Sequence, residues 1–259
     1  MSDEKLIVVT GPHDGVAVIT LNRPQRRNAL TYEMGEQFGR VVGEVSANKE
    51  VRAVVITGAG SSFCAGADFS LLQGWKGATL QEAQEMMTRF YKLFLRVKDL
   101  EVPSIAAITG GAIGAGCCLA LACDLRVAAL DAKLALNFVR LGIPPGMGGT
   151  FHLPAIVGPA VAMDLIFTGR VVDGREALGL GLVCRVMPQE DVLYEATKLA
   201  EAIAANSSFA VRRSKRAIQL AMAGCELDES LKFEAHSQAT CFNTDDYAAA
   251  MRGVTRHRA

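Results

Sequence analysis

The sequence has no excess of either charge: 27 Lys and Arg residues stand against 27 Asp and Glu. A neutral chain offers no electrostatic footprint for nucleic acid and no polybasic segment for an anionic membrane, so neither is expected as a partner. Any charged ligand would need a local basic site. Histidine is scarce, and the seven cysteines form no CxxC and no Cys/His pair at zinc spacing. No metal is therefore expected. The opening Met1-Ser2-Asp3-Glu4-Lys5 lacks the basic-then-apolar order of a secretory signal,. An odd cysteine count without that signal predicts reduced thiols and a cytoplasmic location. Long apolar runs are missing too. The richest, Ile105 to Cys123, is broken by Gly110, Gly111, Gly114 and Gly116 and runs into Asp124 and Arg126, which disfavours a membrane span. There is no low-complexity segment and no convincing internal repeat.

What is present is a chain of 259 residues, half of them apolar. That is enough for one globular core, or one core with a small appendage. Alternating apolar runs at Leu6 to Val9 and Val16 to Leu21, around His13-Asp14-Gly15, predict a hairpin. Thr31 is placed to cap a helix reaching about Val45. Val51 to Ile56 and Pro103 to Ile108 read as buried strands, and Leu125 to Ala128 as a short one. Thr79-Leu80-Gln81-Glu82 is a capping-box pattern that opens a helix to about Lys98. Strands alternating with helices in this way predict an α/β architecture with crossover connections. After about Leu193 only helical patterns follow: Tyr194 to Asn206, Ala210 to Ala223, Leu227 to Thr240 and Asp245 to Gly253. The expected division is a core over 1–193 and a helical region over 194–259.

Two glycine-rich loops follow apolar strands. One is Ser62-Phe63-Cys64-Ala65-Gly66-Ala67-Asp68, and the other runs from Gly110 to Asp124 through Gly114-Ala115-Gly116-Cys117-Cys118. Small residues let the backbone approach a ligand closely, and a helix starting in such a loop aims free N–H groups outward. This suits a phosphate, and equally a carbonyl oxygen that gains negative charge during a reaction. A dinucleotide reading of Gly58-Ala59-Gly60 fails on its third glycine, which falls at Phe63, and no helix opens there. Tyr194 and Lys198 have the spacing of a dehydrogenase pair, but they stand in the helical tail without a matching glycine motif.

The two loops, in this order, resemble the crotonase (enoyl-CoA hydratase/isomerase) superfamily. So do Leu21-Asn22-Arg23-Pro24 before Asn28-Ala29-Leu30, the run Leu141-Gly142-Ile143-Pro144-Pro145-Gly146-Met147-Gly148-Gly149-Thr150, and Phe242-Asn243-Thr244-Asp245-Asp246. The resemblance covers essentially the whole chain. It implies a spiral of ββα repeats followed by a helical trimerisation region, assembled as a homo-oligomer, trimer or hexamer. It also implies an acyl-CoA thioester as substrate, with coenzyme A part of that substrate and no separate cofactor. By position, the two backbone donors of the family's oxyanion hole fall on Ala67 and Ala115. Coenzyme A would lie across Arg26, Arg27 and Ala29 and the loop from Ala65 to Asp68, with Arg26 and Arg27 within reach of phosphates. The family often carries Lys two residues after the loop Asp. Here Ser70 stands there, and Lys76 is the nearest substitute.

A hydratase of this family holds one water between two glutamates. Their positions are occupied here by Cys118 and Phe138, and the acid that some isomerases carry in the following turn is Gly146. Cys118, near a helix start, is a candidate for a thiol acidified by the helix end. Leu71, Leu72, Met147 and Phe138 would make the acyl pocket dry. Tyr91, Glu85 and Trp75 lie in the variable segment above it, and His152 follows on an apolar helix. Two readings result. One is an enzyme that stabilises a thioester enolate with an acid/base other than the usual pair. The other is a non-catalytic acyl-CoA carrier or sensor.

Overall fold

The computed structural model describes residues 5–256; the opening Met1 to Glu4 lies outside them. The hairpin forms as β1 (Ile7–His13) and β2 (Val16–Leu21), paired antiparallel. The remaining strands and helices, in chain order, begin with α1 (Tyr32–Ala47), β3 (Ala53–Gly58), β4 (Ser62–Cys64), α2 (Phe69–Lys76) and α3 (Leu80–Leu95). There follow β5 (Ser104–Ile108), β6 (Gly111–Ile113), α4 (Ala115–Ala122), β7 (Leu125–Ala129) and β8 (Lys133–Ala135). Helices α5 (Gly149–Val157) and α6 (Pro159–Thr168), strand β9 (Val172–Asp173), α7 (Gly174–Gly179) and β10 (Arg185–Met187) complete the spiral. The chain closes with α8 (Val192–Ala204), α9 (Ser208–Met222), α10 (Leu227–Cys241) and α11 (Asp245–Arg256).

Strand, strand, helix recurs three times, as β3-β4-α2, β5-β6-α4 and β7-β8-α5. The first strand of each repeat joins a six-stranded sheet of order β1-β2-β3-β5-β7-β10. The second joins a four-stranded sheet of order β4-β6-β8-β9. Each repeat thus adds one strand to each of two sheets before its helix returns, which is the expected ββα spiral. The pairings of β2, β3, β5, β7 and β10 are parallel. Strands β3 and β5 are buried along their whole length, so they read as continuous apolar runs rather than alternating ones.

Local chemistry sets the helix starts. Thr31 caps α1 by accepting from Met34 N. Thr79 and Glu82 form a reciprocal capping box at α3, as its sequence predicts. The apolar stripe of α1, Met34, Phe38, Val42 and Val45, is buried. Its Phe38 meets Phe94 of α3, which in turn packs on Phe90. Aromatic contacts of this kind fix α3 above the first repeat.

The stretch Ile105 to Cys123 is resolved into β5, β6 and α4 rather than one helix. Among the described residues no helix is long and apolar enough to cross a membrane, and no group of His, Cys, Asp and Glu is arranged to hold a metal ion.

The region expected over 194–259 includes a helix that lies against the sheet. Helix α8 packs on β2, β3, β5 and β7, with Val192, Ala196, Ala200 and Ala204 buried. Alanines four apart give it a narrow face that seats on the sheet, so α8 is a core layer and the outlying helices begin at α9. Helix α9 is tied back by Lys215, which donates to Asp124 and to the carbonyls of Leu100 and Val102.

Candidate active site

Strand register builds the site. Strand β4 pairs in parallel with β6, with Ser62 opposite Gly111 and Cys64 opposite Ala112. The chain leaving β4 and the chain leaving β6 therefore emerge side by side at one sheet edge. The first leads to Ala67, the second to Ala115 at the start of α4. Their approach is close. A Cβ on Gly66 would lie 2.7 Å from the Ile113 carbonyl oxygen and 3.5 Å from Ala115 N. Gly66 also has a φ of +100°, in the left-handed range, so only glycine meets both demands without strain.

The two predicted donors stay free in this arrangement. Ala67 forms a parallel bridge with Leu30, made by Leu30 N donating to Gly66 O and Asp68 N donating to Leu30 O. In such a bridge the bonds are carried by the neighbours of Ala67, and its own N–H faces the other side. Ala115 opens α4, and the first N–H groups of a helix have no intrahelical acceptor. Among the described residues neither N–H donates to a backbone acceptor. The positive end of the α4 dipole lies at Ala115.

A clasp holds the first loop. Asn28 is fully buried, and its side-chain NH2 donates to the carbonyls of Ala59, Ser62 and Phe63 while its Oδ1 accepts from Arg23 N. Arg23 pairs with the Asp68 carboxylate and also donates to Ala29 O. Asp68 in turn accepts from Ser70 N and Oγ and so caps α2. The Arg23 guanidinium, then Ser70, hold the Asp68 carboxyl down at about 2. Its charge is thus directed at the loop's own framework rather than at a ligand. Asn28 and Arg23 appear in the sequence only as parts of a family motif; their roles emerge from the loops they join, which are distant in sequence.

Two of the three positions expected to carry an acid, Cys118 and Gly146, come together, and Phe138 lies beside the second loop. Cys118 lies one turn beyond Ala115 on the same face of α4 and is fully buried. Its thiol donates to the Gly146 carbonyl at 3.4 Å, and a Cβ on Gly149 would sit 3.1 Å from its sulfur. The helix start suggests a thiol acidified by the dipole, and the structure reverses this. Burial, followed by the neighbouring Cys117, drives the Cys118 thiol well above its ordinary value, so it remains protonated. The ring of half-buried Phe138 reaches to 3.9 Å of a Cβ placed on Gly114, which sets an apolar wall beside the second loop. Met147 is buried next to these residues in sequence, and Leu71 packs partly buried against the core.

The remaining candidates separate. Arg26 and Arg27 are exposed on the 3-10 turn Pro24–Arg26 and its cap, and among the described residues neither is in an ion pair. Ala29 and Ala65 flank the same turn, where Ala65 N donates to Arg27 O. Ser70 is engaged by Asp68, and Lys76 ends α2. Glu85 is solvent-exposed and accepts from Gln81. Trp75 donates to the Tyr32 hydroxyl and stacks edge-on against Phe90. His152 lines a different space, a crevice of about 500 Å³ that it shares with Asp124, Arg126 and Lys215. Burial, then Lys98 and Arg126, push its pKa down to about 4.

Comparison with known proteins identifies the family. Residues 11–258 match the family described as enoyl-CoA hydratase/isomerase. The chain is 40% identical over 244 residues to a short-chain-enoyl-CoA hydratase of Clostridium acetobutylicum, covering 94% of this chain and 92% of that one. It is 36% identical to a crotonyl-CoA hydratase of Syntrophomonas wolfei, with 97% and 95% covered. The crystal structure of an enoyl-CoA hydratase from Bacillus anthracis superposes with a TM-score of 0.90 at 34% identity, covering 97% of this chain and 96% of that one.

Proposed function

Because the chain belongs to the enoyl-CoA hydratase/isomerase family, we propose that Ala67 and Ala115 grip the thioester carbonyl of an acyl-CoA and stabilise the enolate that forms there. The observation that carries this reading is the pairing of the two loops, with neither N–H group donating to a backbone acceptor among the described residues. An enolate oxygen between two preorganised donors is stabilised selectively as its charge develops, and one such donor contributes about 2.7–4 kcal/mol. Exposed Arg26 and Arg27 support contacts to the phosphates of coenzyme A.

The reaction takes place without the two-carboxylate arrangement, because Cys118, Phe138 and Gly146 stand at the acid positions. Hydration of a short enoyl thioester is the favoured chemistry, in keeping with the relatives just named. Assembly as a homo-oligomer, trimer or hexamer, is supported by the exposure of Phe151 and Phe167, each 72% accessible on α5 and α6. Large aromatic side chains left this exposed suit burial against another copy of the chain.

The test is hydration of crotonyl-CoA, with α-proton exchange of butyryl-CoA in deuterated buffer followed by mass spectrometry. Turnover together with exchange supports the reading. Binding of both thioesters without turnover or exchange overturns it and leaves the carrier reading, which the non-acidic residues Cys118, Phe138 and Gly146 favour.

A further inference from the structure

A hydratase that lacks carboxylates at the usual positions still has to deliver a proton to the α-carbon and take one from water. Half-buried Tyr91, on α3, reaches the wall formed by Gly146 and Cys118. A Cβ on Gly146 would clash with the Tyr91 hydroxyl, and the ring carbon bearing that hydroxyl would lie only 2.6 Å from it. The φ of Gly146 is not in the left-handed range, so its backbone would tolerate a side chain; the phenol occupies the space instead. The Gly146 carbonyl accepts from the Cys118 thiol. The phenol tip, Gly146 and Cys118 therefore form one wall, on the face of α4 that begins at Ala115.

The hydroxyl is also unengaged. Among the described residues no protein group forms a hydrogen bond with Tyr91 Oη, whereas Tyr32, on the same aromatic cluster, donates to Met86 O. Phe90 packs edge-on beside Tyr91 and fixes the ring from behind. Burial and then Cys118 raise the phenol's pKa, so it stays protonated near neutral pH and keeps a proton to give.

We propose that Tyr91 is the proton relay of the site, taking over from the missing acid side chains. This rests on the hydratase reading above. Water oxygen bonds to the β-carbon while the double-bond electron pair moves toward the carbonyl held by Ala67 and Ala115. The water proton passes to Tyr91 Oη as the phenol proton passes to the α-carbon. The product gains one H and one OH, and Tyr91 ends as it began.

The experiment compares the parent and Tyr91→Phe on crotonyl-CoA, with butyryl-CoA as an unreactive binding probe. A relay contributes on the order of 10²–10⁴-fold, so kcat should fall at least a hundredfold. KM and butyryl-CoA affinity should stay within about threefold. The melting temperature should be unchanged, because the lost hydroxyl bonds to no protein atom. Gly146→Ala, which displaces the phenol without altering Tyr91, should likewise lower kcat. If either variant keeps kcat within about threefold of the parent, the relay is overturned. If the parent itself binds crotonyl-CoA without hydrating it, the hydratase reading fails first, and the relay with it.

Discussion

Arg23 and Asp68 stand 45 positions apart in sequence and meet in an ion pair that closes the loop carrying Ala67. The pair is mostly shielded, with side-chain accessibilities of 21% and 16%, and the second Asp68 oxygen caps α2 through Ser70. One donor of the proposed oxyanion hole is thus positioned by a charge pair outside the hole itself.

Replacing Arg23 with Gln should destabilise the fold by about 1 kcal/mol at neutral pH, since a partly exposed pair is screened. The folded-state value for Asp68, about 2, lies below its ordinary 3.8. Its contribution is therefore complete above that ordinary value and is lost as pH falls toward 2. Denaturant melts at pH 7 and pH 3 check this: the gap between parent and variant should narrow at the lower pH. A gap that widens on acidification would contradict the assignment.

The buried thiols should be inert in the native protein. Cys64, Cys117, Cys118 and Cys123 are all buried, while Cys184 is exposed. A thiol held far above its usual value presents almost no thiolate. Titration with a disulfide reagent should label Cys184 rapidly and Cys118 only after denaturation. Cys118→Ala should cost about 1 kcal/mol of stability through a small cavity and leave turnover within about tenfold. A loss near a thousandfold would instead make the thiol a nucleophile.

His152 predicts a pH effect away from the site. Its folded value of about 4 lies below the ordinary 6.5, so the unfolded chain binds the proton first as pH falls. Stability from this residue is intact above 6.5 and is lost between there and 4. Thermal melts across that interval should drop more steeply for the parent than for His152→Phe, which has no proton to bind. Parallel curves would show that the imidazole is not desolvated.

Local signals in the sequence are largely realised in the structure. The Thr31 cap, the Thr79–Glu82 box and the buried runs of β3 and β5 each depend on a few neighbouring residues, and each is found, with β3 shifted two residues beyond the expected Val51 to Ile56. Properties set by distant contacts were not legible. The division at 193/194 follows the end of strand patterns, but α8 covers the sheet with alanines that look like any helical alanines. The Cys118 thiol reads as acidified from its helix position, because the sequence does not show how completely Gly149, Gly146 and Cys117 enclose it. Tyr91 is visible as one of three polar candidates. Only packing distinguishes it, since Glu85 points to solvent and Trp75 is engaged by Tyr32.

The N–H of Ala115 can be removed almost alone. Ala115 is the first residue of α4, the helical position that best tolerates proline because its N–H has no intrahelical partner. Ala115→Pro should therefore keep the helix while a ring carbon takes the place of the donated proton. Loss of one such donor costs about 2.7–4 kcal/mol in the transition state, a fall in kcat of roughly 10²–10³-fold. Ground-state affinity for butyryl-CoA should change far less, because the uncharged carbonyl gains little from the donor. Circular dichroism confirms the fold and stopped-flow hydration of crotonyl-CoA gives the rate. A folded Ala115→Pro protein with unaltered kcat would mean that the thioester oxygen is held elsewhere than between Ala67 and Ala115.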